Sequence, residues 1–105
     1  MKQEILSEIL ERGKDDWLDF AEILWVVRSQ TQLPEPAVID MSVELIGEML
    51  EQHLAEVGDL QKSGDTIRFS PWGGQPAEIA ERIQRNVADL SHRPGIGDVC
   101  WVSTT

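Results

Sequence analysis

The fold of this chain is decided by residues 38–72, which read VIDMSVELIGEMLEQHLAEVGDLQKSGDTIRFSPW. In the first part of this stretch, apolar residues recur at steps of three and four, the period of one stripe of an amphipathic helix. The second part alternates apolar and polar side chains around a Ser-Gly-Asp turn, as a two-stranded hairpin does. The stretch therefore predicts a long helix that runs into a β-hairpin.

The helix is predicted to cover residues 37–57. Its apolar stripe consists of Val38, Met41, Leu45, Ile46, Met49, Leu50, His53, Leu54 and Val57. Pro36 suits the first helical position, and Gly58 suits the end of the helix. Gly47 lies in the middle, where glycine costs up to about 1 kcal/mol relative to alanine. It indicates either a break into two helices or a place where another helix packs closely, and both alternatives remain open at this point.

The hairpin is predicted over residues 59–69, with its turn at Lys62-Ser63-Gly64-Asp65. Ile67 and Phe69 alternate with polar neighbours, which is typical of a strand that buries one side. A short apolar strand at residues 99–102 is expected to add to this hairpin or to cap the core.

Three further helices are predicted around this unit. Residues 3–12 form the first, because Ile5, Leu6, Ile9 and Leu10 share one face. The second runs from Trp17 to about Arg28, after an N-cap at Asp15 or Asp16. It is apolar almost all round, so we expect it to be central, with Trp25 buried. The last begins at Pro76 and places Ile79, Ala80, Ile83, Val87 and Leu90 on its inner face.

Length and composition predict a single domain over residues 1–105, large enough to bury one core without a metal or disulfides. The one cysteine, Cys100, has no partner for an internal disulfide. No window approaches the roughly 18 apolar residues of a membrane span, and the N-terminus lacks the apolar run of a signal peptide. These features predict a cytoplasmic protein without membrane contact.

The net charge of −10 is placed unevenly, because residues 1–60 carry fourteen acidic and four basic side chains. No Lys or Arg lies between Arg28 and Lys62, and the exposed face of the long helix carries Glu44, Glu48, Glu51 and Glu56. Lys and Arg supply most of the energy of nucleic-acid binding, so this face argues against a nucleic-acid partner. A field of this sign attracts basic proteins instead.

The residue types that carry chemistry do not form a recognisable site in the sequence. His53 lies in the apolar stripe, and Cys100 lies between Val99 and Trp101, where a thiol is expected to be buried and inert. His92 is the other histidine, and no ligand spacing typical of a metal site is present. The sequence predicts no catalytic, cofactor-binding or metal-binding residue, and no cofactor.

Four tryptophans without any tyrosine are unusual for this length. Core packing explains most of them, because aromatic rings bury large areas. Trp72, beside Gly73-Gly74, is predicted to be exposed as a binding anchor, since tryptophan is enriched at interface hot spots. The predicted partner-binding residues are therefore Glu44, Glu48, Glu51 and Trp72.

Four segments of the chain are notable together: DDWLDFAEILWVVR (15–28), EVGDL (56–60), FSPWGG (69–74) and GIGDVCW (95–101). They resemble a group of small uncharacterised bacterial proteins of about this length, and this resemblance implies no function or site. Separately, VELIGEMLEQHLAEVGDLQKSGDTIRF (43–69) resembles the recognition helix and wing of winged-helix domains. That resemblance implies a winged-helix-like fold, mainly α with a small β-hairpin or three-stranded sheet.

These patterns favour a non-enzymatic, acidic protein-binding module that meets a basic partner. An immunity or antitoxin-type protein that neutralises a basic toxin, such as a nuclease, is its concrete form, because acidic complementarity speeds association with a basic cleft. The alternative is a winged-helix transcription regulator that binds DNA through Lys62, Arg68, Arg82 and Arg85. A third hypothesis is a subunit or regulator that acts only through oligomerisation.

Overall fold

The computed structural model describes residues 2–104 and divides them among four helices and four strands. The helices are α1 (Lys2–Arg12), α2 (Phe20–Gln30), α3 (Glu35–Glu51) and α4 (Pro76–Ala88), and the strands are β1 (Leu18–Asp19), β2 (Ala55–Ser63), β3 (Thr66–Pro71) and β4 (Trp101–Thr104). The fold is therefore a small α+β fold. Its sheet has four strands, one more than the largest sheet predicted from the sequence.

The sheet is antiparallel throughout, with the strand order β1-β4-β2-β3. Strand β4 lies between β1 and β2, so the last strand of the chain fills the centre of the sheet. Val102 is paired with Leu18 on one side and with Val57 on the other, and all three are buried. These residues mark the inner face of the sheet, which packs on the helices.

The predicted hairpin is confirmed as β2 and β3. The pairing runs from Gly58 opposite Pro71 to Ser63 opposite Thr66, which leaves Gly64-Asp65 as a two-residue turn. Gly64 has a φ of 61°, a value that tight hairpin turns require at their first central position.

Helix α2 begins three residues later than its sequence pattern predicts. Leu18 and Asp19 pair with β4 instead of joining the helix. The N-cap is Asp19, whose carboxylate accepts a 2.8 Å hydrogen bond from the backbone N–H of Ala21. The prediction of an N-cap at Asp15 or Asp16 is therefore wrong.

Helix α3 ends earlier than predicted, at Glu51 rather than Val57. His53 has a φ of 57°, and the N–H of Leu54 donates to the carbonyl of Met49 at 2.8 Å. The N–H of His53 donates to Leu50, which completes the paired hydrogen bonds of a Schellman end. His53 is therefore an exposed residue at the helix end and not a member of the apolar stripe.

Gly47 neither breaks α3 nor provides close packing. The helix is continuous through it, and a Cβ built there has nothing within 4 Å. Both alternatives that the sequence left open are wrong.

The core gathers buried side chains from all four helices and from β1, β2 and β4. Trp25 is an exception to the prediction, because it is 52% exposed. At about 100° per residue, Trp25 lies on the side of α2 away from Phe20, Leu24 and Val27, which are buried. None of the helices in residues 2–104 is long and apolar enough to cross a membrane.

Candidate protein-binding surface

The sheet presents an outer face, which we define as the side opposite Leu18, Val57 and Val102. Side chains alternate between the two faces along each strand. The cross-strand partners Asp19, Trp101 and Gly58 therefore belong to the outer face, and so does the pair Leu60 and Phe69 further along the hairpin. Leu60, Phe69 and Trp101 on this face are partly exposed, whereas Asp19 and Gly58 are buried.

Gly58 allows the hairpin to curl towards the outer face. A Cβ built on Gly58 would lie 2.1 Å from the carbonyl oxygen of Ser70 and 2.7 Å from the Cα of Pro71. The backbone of β3 therefore occupies the space that any side chain at this position would need. The curl brings the ring of Phe69 to Trp17, with centroids 6.3 Å apart and an angle of 26° between the planes.

A cavity of about 520 Å³ opens beside the outer face, where Asp19 and Trp101 line it. We call it the aromatic pocket and define it by Trp17, Trp25, Trp101 and Ile96, all of which line it. Trp25 is 52% exposed and Ile96 is 82% exposed, although both are large apolar side chains. Exposed apolar patches of this kind, when rimmed by polar groups, mark interaction sites.

The polar rim of the aromatic pocket is mainly acidic. Asp16 and Glu22 line it as accessible carboxylates together with one cation, Arg12, and Asp19 lines the pocket as a buried carboxylate. The guanidinium of Arg12 donates to Glu8 at 3.0 Å and to Glu22 at 3.3 Å, and its Cζ lies 5.0 Å from the centre of the Trp25 ring. The hydrogen bond to Glu8, assisted by Glu22, raises the pKa of Arg12 above its ordinary value.

Asp19 holds two walls of the aromatic pocket together. One carboxylate oxygen caps α2 through Ala21, and the other accepts a 2.8 Å hydrogen bond from the N–H of Gly97. The second bond fixes the loop that carries Ile96. Burial raises the pKa of the Asp19 carboxyl above its ordinary value, although the backbone donors partly oppose this effect.

The acidic face predicted on α3 is partly neutralised by α1. The ammonium of Lys2 lies 2.7 Å from Glu44 and 2.9 Å from Glu48. Glu51 remains an exposed carboxylate at the end of the helix. The sequence pattern did not reveal this pairing, because Lys2 is more than forty positions away from both acids.

The expectation that Trp72 is exposed is wrong. Trp72 is only 9% exposed. Its backbone N–H donates to the carbonyl of Val57 at 2.8 Å, and this bond holds the residue beside β2. Its indole donates to Asp59 at 2.9 Å, and the guanidinium of Arg82 covers the ring at 3.8 Å. The exposed tryptophan of this chain is Trp25.

The basic residues named for DNA contact do not share one face. Lys62 is paired with Ile67 and Arg68 with Gln61, at adjacent positions of the hairpin, so the two cations lie on opposite faces of it. Arg82 is engaged on Trp72. Arg85 is exposed on the last turn of α4.

The thiol of Cys100 is enclosed, as the sequence predicts. Burial, with smaller contributions from Asp19 and Asp59, raises its pKa to about 12. His92 is exposed and contacts the carbonyl of Arg93. Within residues 2–104, no three His, Cys, Asp or Glu side chains are grouped so that they could hold a metal ion.

No protein-family model, curated protein or solved structure matches this chain. The candidate site therefore rests on the contacts of the chain itself. Sequence reasoning placed Trp17, Trp25 and Trp101 in the core and did not single out Ile96. One local signal was available, since an isoleucine between two glycines in a turn has no neighbouring apolar residue with which to form a buried element.

Proposed function

We propose that this chain is a non-enzymatic protein-binding module whose partner docks on the aromatic pocket and the adjoining outer face. The observation that carries the proposal is the grouping of two exposed apolar side chains, Trp25 and Ile96, with Trp17 and Trp101. Tryptophan is enriched among the few residues that dominate binding energy, and such residues cluster in pockets that exclude water.

The charge of the chain supports a basic partner. The net charge is −10, and the pocket is lined by the buried Asp19 and two accessible acids, Asp16 and Glu22, against the single cation Arg12. Complementary fields steer a basic protein towards the surface and suppress encounters with acidic ones. An immunity or antitoxin-type protein that covers a basic toxin, such as a nuclease, is the form of module that this charge favours.

Within the class of small α+β folds, we propose that this chain is winged-helix-like. The order α1, β1, α2, α3, β2, β3 places a long helix directly before a hairpin, as a recognition helix stands before a wing. The chain then adds α4 and β4. Its α3 exposes Glu44 and Glu51 where a helix for the major groove needs Lys or Arg. We therefore propose that this winged-helix-like domain binds a protein rather than DNA.

An affinity capture with matched variants tests the proposal. Ile96→Ser and Trp25→Ser remove exposed apolar surface from the pocket, whereas Leu33→Ser removes an apolar side chain, 39% exposed, from the linker before α3. We expect the wild type and Leu33→Ser to retain one basic protein from a lysate of the source cells, and the two pocket variants to lose it. Thermal unfolding of all four proteins serves as the folding control.

An inhibition experiment tests whether the module is an immunity protein. Added wild-type protein should inhibit the purified captured protein, and Ile96→Ser should not. Capture that is the same for all variants, or a captured protein of acidic character, would contradict the proposed module.

A further inference from the structure

We infer that the aromatic pocket receives an arginine side chain of the basic partner. This inference rests on the proposed function and names the group that the pocket recognises. It follows from the contacts that the chain already makes with its own arginines, and from the charge around the pocket.

The chain already seats guanidinium groups on two of its tryptophans. The Cζ of Arg12 lies 5.0 Å from the ring centre of Trp25, and the Cζ of Arg82 lies 3.8 Å from that of Trp72. A cation over an indole face within about 6 Å is attracted by the ring, and the attraction grows as water is removed. Arg12 therefore shows which chemistry the wall of the pocket attracts.

The acids of the pocket are placed to bind a further cation. Glu22 is in contact with Arg12, whose charge is also shared with Glu8. Asp16 lines the same pocket and is exposed, and its carboxylate accepts a local 2.8 Å hydrogen bond from the N–H of Trp17. A guanidinium fits this setting well, because it stacks flat on an indole and donates sideways to carboxylates.

Charge also argues against other occupants. A second copy of this chain would bring two acidic rims and two net charges of −10 together. A purely apolar partner would remove water from Asp16 and Glu22 without pairing them, and desolvating an unpaired carboxylate is costly. A cationic side chain with an aliphatic stem satisfies both the rings and the acids.

The size of the pocket also suits a side chain. Its volume of about 520 Å³ lies in the usual range of roughly 300–1,000 Å³ for small-ligand pockets.

The probe for this inference is a blocked five-residue peptide that contains two arginines, compared with the same peptide containing citrulline. Citrulline keeps the shape of arginine but carries no charge. In NMR titrations of the ¹⁵N-labelled protein, we expect the arginine peptide to shift the indole N–H signals of Trp17, Trp25 and Trp101 with a Kd on the order of 1 mM. The indole of Trp72, held by Asp59, is the internal control and should not shift.

Two variants with the same change of charge sharpen this test. Arg12→Gln removes the resident guanidinium from Trp25 and Glu22, so we expect the arginine peptide to bind about three- to tenfold more tightly. Arg85→Gln removes an exposed cation from α4 and should change the Kd less than twofold. Equal binding of the citrulline peptide, or no greater effect of Arg12→Gln than of Arg85→Gln, would overturn the inference.

The results also separate this inference from the proposed function. If the arginine peptide fails to bind while Ile96→Ser and Trp25→Ser still lose the basic partner, the interface stands and the arginine subsite is wrong. If the peptide binds but both pocket variants keep the partner, the pocket is a cation site and the docking surface lies elsewhere.

Discussion

At the scale of single residues, two glycines differ in whether the fold requires them. Gly47 faces open space within α3, where a Cβ would touch nothing within 4 Å. Gly58 lies under the backbone of β3, where a Cβ would come within 2.1 Å of a carbonyl oxygen. Glycine is therefore dispensable at the first position and is required by the curl of the hairpin at the second.

We expect Gly47→Ala to stabilise the protein by about 0.5–1 kcal/mol, because alanine favours the helix and restricts the unfolded chain. The measurement is the midpoint of urea unfolding, at an unchanged dependence on urea. Gly58→Ala is the contrasting variant and should lower stability by about 1–3 kcal/mol through overpacking. A lower midpoint for Gly47→Ala would show that α3 packs differently around this residue.

At the scale of elements, the sequence pattern predicted those helices and strands whose ends depend on neighbouring residues. Helix α1, helix α4 and the place of the hairpin were predicted correctly, because each has a clear period and its own end signals, but β2 begins at Ala55, four residues before the predicted strand. The start of α2 and the end of α3 were wrong, because distant strands decide both. Leu18 joins β4, more than eighty positions away, and Val57 pairs with the same strand. Val57 fits a helical stripe and an alternating strand equally well, so its state depends on that partner.

An ion pair across the turn between α2 and α3 makes stability depend on pH. Arg28 donates two hydrogen bonds to Glu35, at 3.2 and 2.7 Å, and they hold the pKa of Glu35 below its ordinary value of 4.5. Because the folded state lowers this pKa, the contribution is fully present above pH 4.5 and is lost as the pH falls through the lower folded value. Both side chains are partly exposed, so the contribution is about 0.5–1 kcal/mol.

We therefore expect Glu35→Gln to be less stable than the wild type near pH 6 and to approach it near pH 3. Urea unfolding at the two pH values measures this difference. Arg28→Gln should cause the same loss near pH 6, and the double variant should cost less than the sum of both, since the two residues share one interaction. Additive losses would show that the two side chains act separately.

At the scale of the whole molecule, the candidate site consists of residues that are distant in sequence. The aromatic pocket joins the end of α1, the approach to β1, the exposed side of α2, the loop before β4 and β4 itself. Composition indicated an acidic, tryptophan-rich binding protein. Only the position of β4 in the sheet brings Trp101 beside Trp17 and Trp25, which is why the sequence pointed to the acidic face of α3 instead.

The charge of the whole molecule predicts no measurable affinity for duplex DNA at about 150 mM salt, where non-specific binders reach Kd values of roughly 10⁻⁴–10⁻⁶ M. An anisotropy titration against random duplex measures this. Micromolar binding with a steep dependence on salt would instead favour a regulator, and Arg68, Arg82 and Arg85 would be the residues to change next.

Charge reversal at two distant acids distinguishes the surface predicted from the sequence from the one found in the structure. Asp16→Lys lies at the aromatic pocket and Glu51→Lys at the end of α3, and both variants change the net charge equally. Both should slow association with the basic partner at low salt, because they weaken the same acidic field. The difference in association rate between each variant and the wild type should vanish near 1 M salt, where charges more than about 3 Å apart are screened from one another.

Dissociation should respond to only one of the two variants. Asp16→Lys places a cation beside the arginine that we assign to the pocket, so the complex should dissociate at least tenfold faster. Glu51→Lys should leave the dissociation rate within about twofold, since a charge outside the contact acts mainly on encounter. Surface plasmon resonance at several salt concentrations separates the two rates. Faster dissociation for Glu51→Lys alone would move the interface to α3, to the face that carries Glu44 and Glu48.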